Sequence, residues 1–304
     1  MTVGDPRGIG PEVVAASLDA ADAEIVLVGP DDVIAGLPAA RRVGVGVWGG
    51  GGEPDPLALA GRLTGLALEA AVRLWREGAA DAIVTGPGHK QALRAGGYEA
   101  PGHTELLRDL CGAKHALMML ASDRLRVALV TTHLPLRDAI AILTRERVVT
   151  AGEVLLRGLR EWFGVERPRV ALCALNPHAG EGGLFGHEEE RTLAPAARDL
   201  GFAGPLPADT VFVRALRGEF DAVLAPYHDV GMTAIKVASF GKAVNVTLGL
   251  PVPRTAPDHG TALDIAGRGL ADPSSMQAAV RLAAEIVRRT AGGGEAGLEA
   301  EGGA

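Results

Sequence analysis

Aromatic residues are scarce in this chain: Phe, Trp and Tyr make up 4% of 304 residues. The core must therefore be assembled from Ala, Val, Leu and Ile, within a hydrophobic content of 47%. Only two cysteines occur, Cys111 and Cys173, and neither belongs to a CxxC pair. That excludes a disulfide scaffold and a Cys-type zinc site, and both thiols read as small core residues. There is no basic run, and the formal net charge is −7, so nucleic acid is not expected as a partner. No apolar stretch reaches the ~20 residues that cross a bilayer. No leader-like stretch precedes Gly4, so the expectation is a protein of the reducing cytoplasm without a membrane partner. Also missing is a GxGxxG following a strand, the usual dinucleotide fingerprint.

What the chain does have is alternation. β-prone runs occur at 24–29, 81–86, 115–121, 125–133, 169–175, 221–227 and 243–248. Helical patterns lie between them, at 10–20, 57–77, 145–163, 187–200 and 273–291. The alternation predicts an α/β fold with a mixed, largely parallel sheet. The runs at 115–121 and 125–133 are joined by a short polar turn and are expected to be antiparallel. Pro273 suits the first turn of the last helix, with Asp272 or Ser274 as its cap. Beyond it, the Gly-rich, acidic residues 291–304 read as a disordered tail.

Three of the β-prone runs lead into a histidine beside turn formers: TTHLPLRD at 131–138, LNPHAGEGG at 175–183 and PYHDVGM at 226–232. The carboxyl ends of the strands are where open α/β sheets place ligands. His133, His178 and His228 could converge there, and three neutral imidazoles suit a divalent metal with open positions for substrate. Spacing alone leaves two readings open, because a strand-end histidine is often just a hydrogen-bonded loop residue. Asp209 in PADT and Asp229 beside His228 are the carboxylates placed nearest this chemistry, either orienting an imidazole or bonding a substrate hydroxyl. In GDPRGIGPE (4–12), Gly10 and Pro11 open a helix, and a tight strand–helix turn explains the glycines as well as anion binding does.

These segments, with GHTE (102–105), VNVTLGLPVPRT (244–255) and DHGTALDIAGRGLADP (258–273), resemble the 4-hydroxythreonine-4-phosphate dehydrogenases in content and in order. The resemblance implies an isocitrate/isopropylmalate dehydrogenase-like fold of two α/β/α domains. The first would comprise 1–101 plus 256–290 and carry the cofactor; the second would be 102–255. It implies that His133, His178 and His228 hold zinc, magnesium or cobalt, and that His103, Thr104, Lys236, Asn245 and Arg254 bind a small phosphorylated hydroxy acid. Segment 258–273 also looks like the adenine-side loop of the isocitrate and isopropylmalate dehydrogenases. That likeness implies that His259, Gly260, Thr261 and Asp264 line NAD or NADP.

The implied activity is oxidation of the 3-hydroxyl of 4-hydroxythreonine 4-phosphate with decarboxylation, in pyridoxal phosphate biosynthesis, by a homodimer that shares its active sites. Asp209 and Asp229 are the candidate bases. Alternatives within the family are a D-threonate or D-erythronate 4-phosphate dehydrogenase and a dihydrodiol dehydrogenase. From another class, a three-histidine metallohydrolase would use the same ligands without a nicotinamide. Where the family commonly has a larger residue, this chain has Gly88.

Overall fold

The computed structural model describes residues 1–39, 41–239 and 241–298, with side chains described as far as 291. Its named strands are β1 (Val26–Gly29), β2 (Arg41–Gly44), β3 (Ile83–Val84), β4 (Leu117–Ala121), β5 (Arg126–Leu129), β6 (Val170–Cys173), β7 (Ala203–Leu206), β8 (Ala222–Ala225), β9 (Val244–Leu248) and β10 (Arg254–Pro257). The chain forms two compact units: Met1–Ala116 with the segment from Val244 onward, and Leu117–Ala243. These bounds differ from the expected ones at 101 and 256. Helix His103–Cys111 buries Leu106 and Leu107 in one cluster with Leu68, Leu93, Leu250 and Val252, so it belongs to the first unit. β9 and β10 belong there too, because β10 pairs with β9 on one side and β3 on the other.

In the first unit β1 and β2 run parallel, as do β3 and β10, whereas β10 and β9 are antiparallel. Thr2 bridges in parallel to both Val28 and Thr85. Sequence patterning missed β2 and β10. β2, with the sequence RRVG, is largely exposed and carries two arginines; β10 reads RTAP yet is buried along its whole length. Helix Pro56–Arg76 starts where a helix should: Asp55 accepts the Ala58 N–H at 3.0 Å and Pro56 occupies the first turn. It buries a stripe that includes Leu63, Ala67, Leu68 and Leu74.

In the second unit the expected antiparallel pair is β4 with β5, closed by Ser122, whose N–H donates to Leu125 O at 2.9 Å. β5, β8, β6 and β7 follow in parallel order. Every residue of β6 and β8 is buried, as strands covered on both faces require. Cys173, on β6, is a buried thiol whose pKa burial pushes up to about 12, with Glu189 adding to the rise. β7 was missed because AGPL combines a glycine with a proline.

The helix expected over 187–200 is divided. A π-helical turn, Glu189–Leu193, precedes the α-helix Ala194–Leu200, whose Pro195 lacks the amide hydrogen that would continue an α ladder. Helix Gly10–Ala15 is shorter than the pattern over 10–20. The last helix runs Ser274–Leu298, so 291–298 of the expected tail is helical backbone; 299–304 lies outside the described residues. Once a helix is nucleated, each further residue adds one hydrogen bond, and no proline stops it here.

A close approach ties helix Pro56–Arg76 to helix Lys90–Ala95. A Cβ on Gly61 would lie 1.7 Å from the Ala92 carbonyl oxygen. Intrinsic propensity favours Ala over Gly in a helix interior by about 1 kcal/mol. Overpacking costs typically 1–3 kcal/mol, and this clash involves backbone. Gly61→Ala should therefore lower the thermal midpoint, and an unchanged or raised midpoint would refute the tight contact.

Candidate functional site

The histidines of the second unit are placed by the strands beneath them. β8 lies between β5 and β6, all parallel, so the segments after the three strands leave the same edge. His133 follows β5, and His228 is the first residue of helix His228–Ser239 after β8. Their ring centroids are 5.3 Å apart, tilted by 42°. His228 Nδ1 donates to Asp229 Oδ1 at 2.7 Å, which fixes the tautomer with the lone pair on Nε2. Two adjacent imidazoles, one of them so oriented, are a donor set that fits a divalent cation.

His178 does not join them. Residues 178–182 form a left-handed turn with φ between 43° and 82°, three of them non-glycine, and the His178 side chain is 65% exposed beside the Phe185 ring. Among the described residues no group of three or more His, Cys, Asp or Glu is gathered to hold a metal. The three-histidine cluster expected from the sequence is therefore not assembled by one chain. Asp209, in the first turn of helix Ala208–Leu216, and Lys236, on helix His228–Ser239, are both exposed.

The first unit gathers a different chemistry. Arg254, at the start of β10, is 3% exposed. Its Nη1 donates to Thr247 Oγ1 at 2.9 Å and its Nη2 to Thr85 Oγ1 at 2.6 Å, while Nε is buried without a partner. The guanidinium is thus held by hydroxyls rather than a carboxylate, and burial lowers its pKa to about 10, with Glu105 raising it through space. A guanidinium has five N–H donors, and the two threonines take one from each Nη. The others suit an anion. Asn245 Oδ1, on β9, is also buried and unpartnered.

His103 opens helix His103–Cys111, with Thr104 next to it. Its Nε2 is buried and unpartnered. Burial, then the charge of Arg254, lowers its pKa to about 3, with Asp5 pulling the other way. The ring occupies the space above Gly88, where a Cβ would fall 2.1 Å from Nε2. The neighbouring N-terminal motif is held just as closely. Gly4 has φ +76°, and a Cβ there would lie 2.2 Å from the Pro87 carbonyl oxygen. Asp5, fully buried, accepts from the backbone N–H of Arg7 and, with both oxygens, from its guanidinium at 2.7–3.0 Å.

The segment after β10 packs on this motif. Ile9 N–H donates to the Thr261 carbonyl at 2.9 Å, and Gly267 N–H donates to Glu12. His259 Nδ1 donates to the Gly260 carbonyl at 3.1 Å, and its Nε2 is buried and unpartnered; Thr261 is buried, Asp264 exposed.

The family model described as Pyridoxal phosphate biosynthetic protein PdxA matches residues 52–283. The chain belongs to the PdxA family. A 4-hydroxythreonine-4-phosphate dehydrogenase of Geobacter metallireducens is 44% identical over 330 residues, covering 97% of this chain and 96% of the relative. A D-threonate 4-phosphate dehydrogenase of Cupriavidus necator is 42% identical over 329 residues, covering 96% and 97%. The solved structure of a 4-hydroxythreonine-4-phosphate dehydrogenase from Klebsiella pneumoniae superposes with a TM-score of 0.82 at 37% identity, covering 94% of this chain and 96% of that one. The protein is thus a dehydrogenase of the PdxA family, and the two relatives' names differ in the substrate.

In this PdxA-family chain, sequence reasoning missed Asp5, Thr85 and Thr247. The GDPRG motif pointed to Asp5's segment, but a threonine inside a β-prone run gives no sign that it will meet an arginine. His103 yields a test. An unfolded histidine titrates near 6.5, so as pH falls the unfolded chain takes up this proton first. His103 therefore withdraws stability as pH drops from about 6.5 towards 3. The His103→Gln variant should lose less stability than the parent between roughly pH 6.5 and 4.5 in urea titrations. A ring that NMR shows protonating above pH 5 would contradict the burial described.

Proposed function

We propose that the protein oxidises a hydroxyl of a small phosphorylated hydroxy acid, with NAD or NADP as the hydride acceptor and a divalent metal (zinc, magnesium or cobalt) at the histidines. The observation that carries the anionic substrate is Arg254, a buried guanidinium with hydroxyl partners and unclaimed donors inside a protein of net charge −7. Burying such a charge is costly unless an anion meets it. Asn245, His103, Thr104 and Lys236 are assigned to the same substrate, and His259, Gly260, Thr261 and Asp264 to the nucleotide. A neutral His103 can both donate and accept without repelling Arg254.

His133 and His228 would hold the cation, with Asp229 orienting His228. A cation held there would supply Lewis-acid polarisation of the reacting hydroxyl, and a nicotinamide nucleotide held by His259, Gly260, Thr261 and Asp264 would supply the hydride acceptor. Asp229 is engaged with His228, which leaves Asp209 as the candidate to accept the hydroxyl proton. The preferred substrate is 4-hydroxythreonine 4-phosphate, whose oxidation at C3 gives a 3-keto acid that loses CO2. The Cupriavidus relative supports a second reading, D-threonate 4-phosphate.

The third imidazole is assigned to His178 of a second copy. What supports this reading is that, among the described residues, His178 is not gathered with His133 and His228. Exposed Leu134, Leu136, Ile140, Leu184 and Phe185 supply apolar surface for such a homodimer. Mixing inactive His178→Ala with inactive His228→Ala and re-forming dimers should restore activity, whereas mixing His133→Ala with His228→Ala should not. Recovery in the second mixture alone would reverse the assignment.

A turnover assay following reduced nicotinamide separates the substrates. Charge-assisted bonds contribute roughly 1.5–3 kcal/mol each. Arg254→Ala should therefore raise KM for a phosphorylated substrate about tenfold or more, and Arg254→Lys should recover only part of it. If dephosphorylated analogues or a dihydrodiol are turned over as well, and Arg254→Ala changes nothing, the phosphate reading falls. Hydrolysis without nicotinamide reduction would support the metallohydrolase instead.

A further inference from the structure

Glu189 stands outside every role assigned above, yet it is a carboxylate with 5% exposure. Among the described residues, its side-chain hydrogen bonds run to the segment that leads into the His178 turn. Oε1 accepts the backbone N–H groups of Leu175 at 2.9 Å and Asn176 at 2.7 Å. Oε2 accepts from Asn176 Nδ2 at 2.9 Å, and that amide also donates to Glu188 Oε2 at 2.7 Å. A Cβ on Gly180, inside the turn, would lie 2.9 Å from Glu189 Oε2, so turn and carboxylate are in close contact.

The turn needs an external hold. His178, Ala179 and Glu181 have φ of 53°, 55° and 43°. Left-handed backbone is disfavoured for such residues by roughly 1–2 kcal/mol each, so it persists only where the surroundings impose it. Within the segment the turn is closed by Ala179 N–H to the Asn176 carbonyl at 3.2 Å and Phe185 N–H to the Gly180 carbonyl at 3.2 Å. Glu189 fixes the entry to it. Glu189 is also the first residue of the π-helical turn, an irregularity that often accompanies functional sites.

We propose that Glu189 is a positioning residue that clamps Leu175 and Asn176 and so sets the left-handed turn in which His178 is presented as a metal ligand. The inference rests on the reading of His178 as a ligand. A glutamine at 189 cannot replace the carboxylate. If its oxygen serves the two backbone N–H groups, its NH2 meets the Asn176 amide; turning that amide around would set the Asn176 oxygen against Glu188.

The test is Co²⁺ titration of the full-length protein, followed by the ligand-field absorbance of the bound ion, with thermal midpoints measured in parallel. His178→Ala should weaken Co²⁺ binding and shift the bands. Glu189→Gln should raise the Co²⁺ dissociation constant about tenfold or more, with the same band shift, because partners behind a metal ligand typically matter by 10–100-fold. Glu153→Gln, an exposed carboxylate on the helix Arg145–Glu161, should bind as the parent does. Adding Ala179→Gly to Glu189→Gln should restore part of the affinity, since glycine holds the left-handed conformation without the clamp. Should Glu189→Gln fail to fold, Asn176→Ser, which removes the amide bonded to Oε2, is read in the same way. Loss of affinity in His178→Ala with parental binding in Glu189→Gln overturns the clamp and leaves the ligand intact. Parental binding in His178→Ala overturns the ligand reading and the clamp together.

Discussion

Val127, Val223 and Ala171 stand in one row across β5, β8 and β6, each paired in parallel with the next and none exposed. This register fixes the second unit's chemistry. It sets three strand ends at one edge, so residues far apart in sequence emerge side by side. His133 and His228 come from strands that are direct neighbours, and they meet. His178 comes from the strand beyond β8, and its turn winds in the opposite hand to the helices around it. A shift of β8 by one residue would turn each of its side chains to the opposite face of the sheet and displace His228 with them.

The first unit depends on the opposite kind of constraint, a charge placed where apolar packing would be cheaper. Arg254 sits on β10 between β3 and β9, with Thr85 and Thr247 reaching it from either side. Burial first, and then the charge of the neighbouring guanidinium, favours the neutral ring of His103, whose two nitrogens are then chemically distinct.

Where a strand is apolar and covered on both faces, as in β6 and β8, its run of Val, Leu and Ala announced it. β10 did not, because an arginine at the start of a buried strand contradicts the pattern that marks such strands. The antiparallel β4–β5 pair was readable from the brevity of its turn. Strand-end placement of the histidines was readable too, but their convergence was not. The sequence AGEGG does signal an unusual backbone through its glycines; no local pattern says that Ala179 and Glu181 will share the glycines' conformation. Glu189 was invisible because the pair of glutamates before a helix ordinarily reads as a solvated first turn. Periodicity carries little about site residues, since binding chemistry is defined across strands rather than along them.

The handedness of the turn at 178–182 has a stereochemical consequence. Around Ala179 the backbone follows the mirror image of the helical path that L-residues prefer. A D-alanine at this one position would occupy its own favoured well, whereas almost anywhere in the helix Arg145–Glu161 it would break the chain's path. The protein thus contains a short stretch in which chirality and conformation are at odds, immediately beside an imidazole.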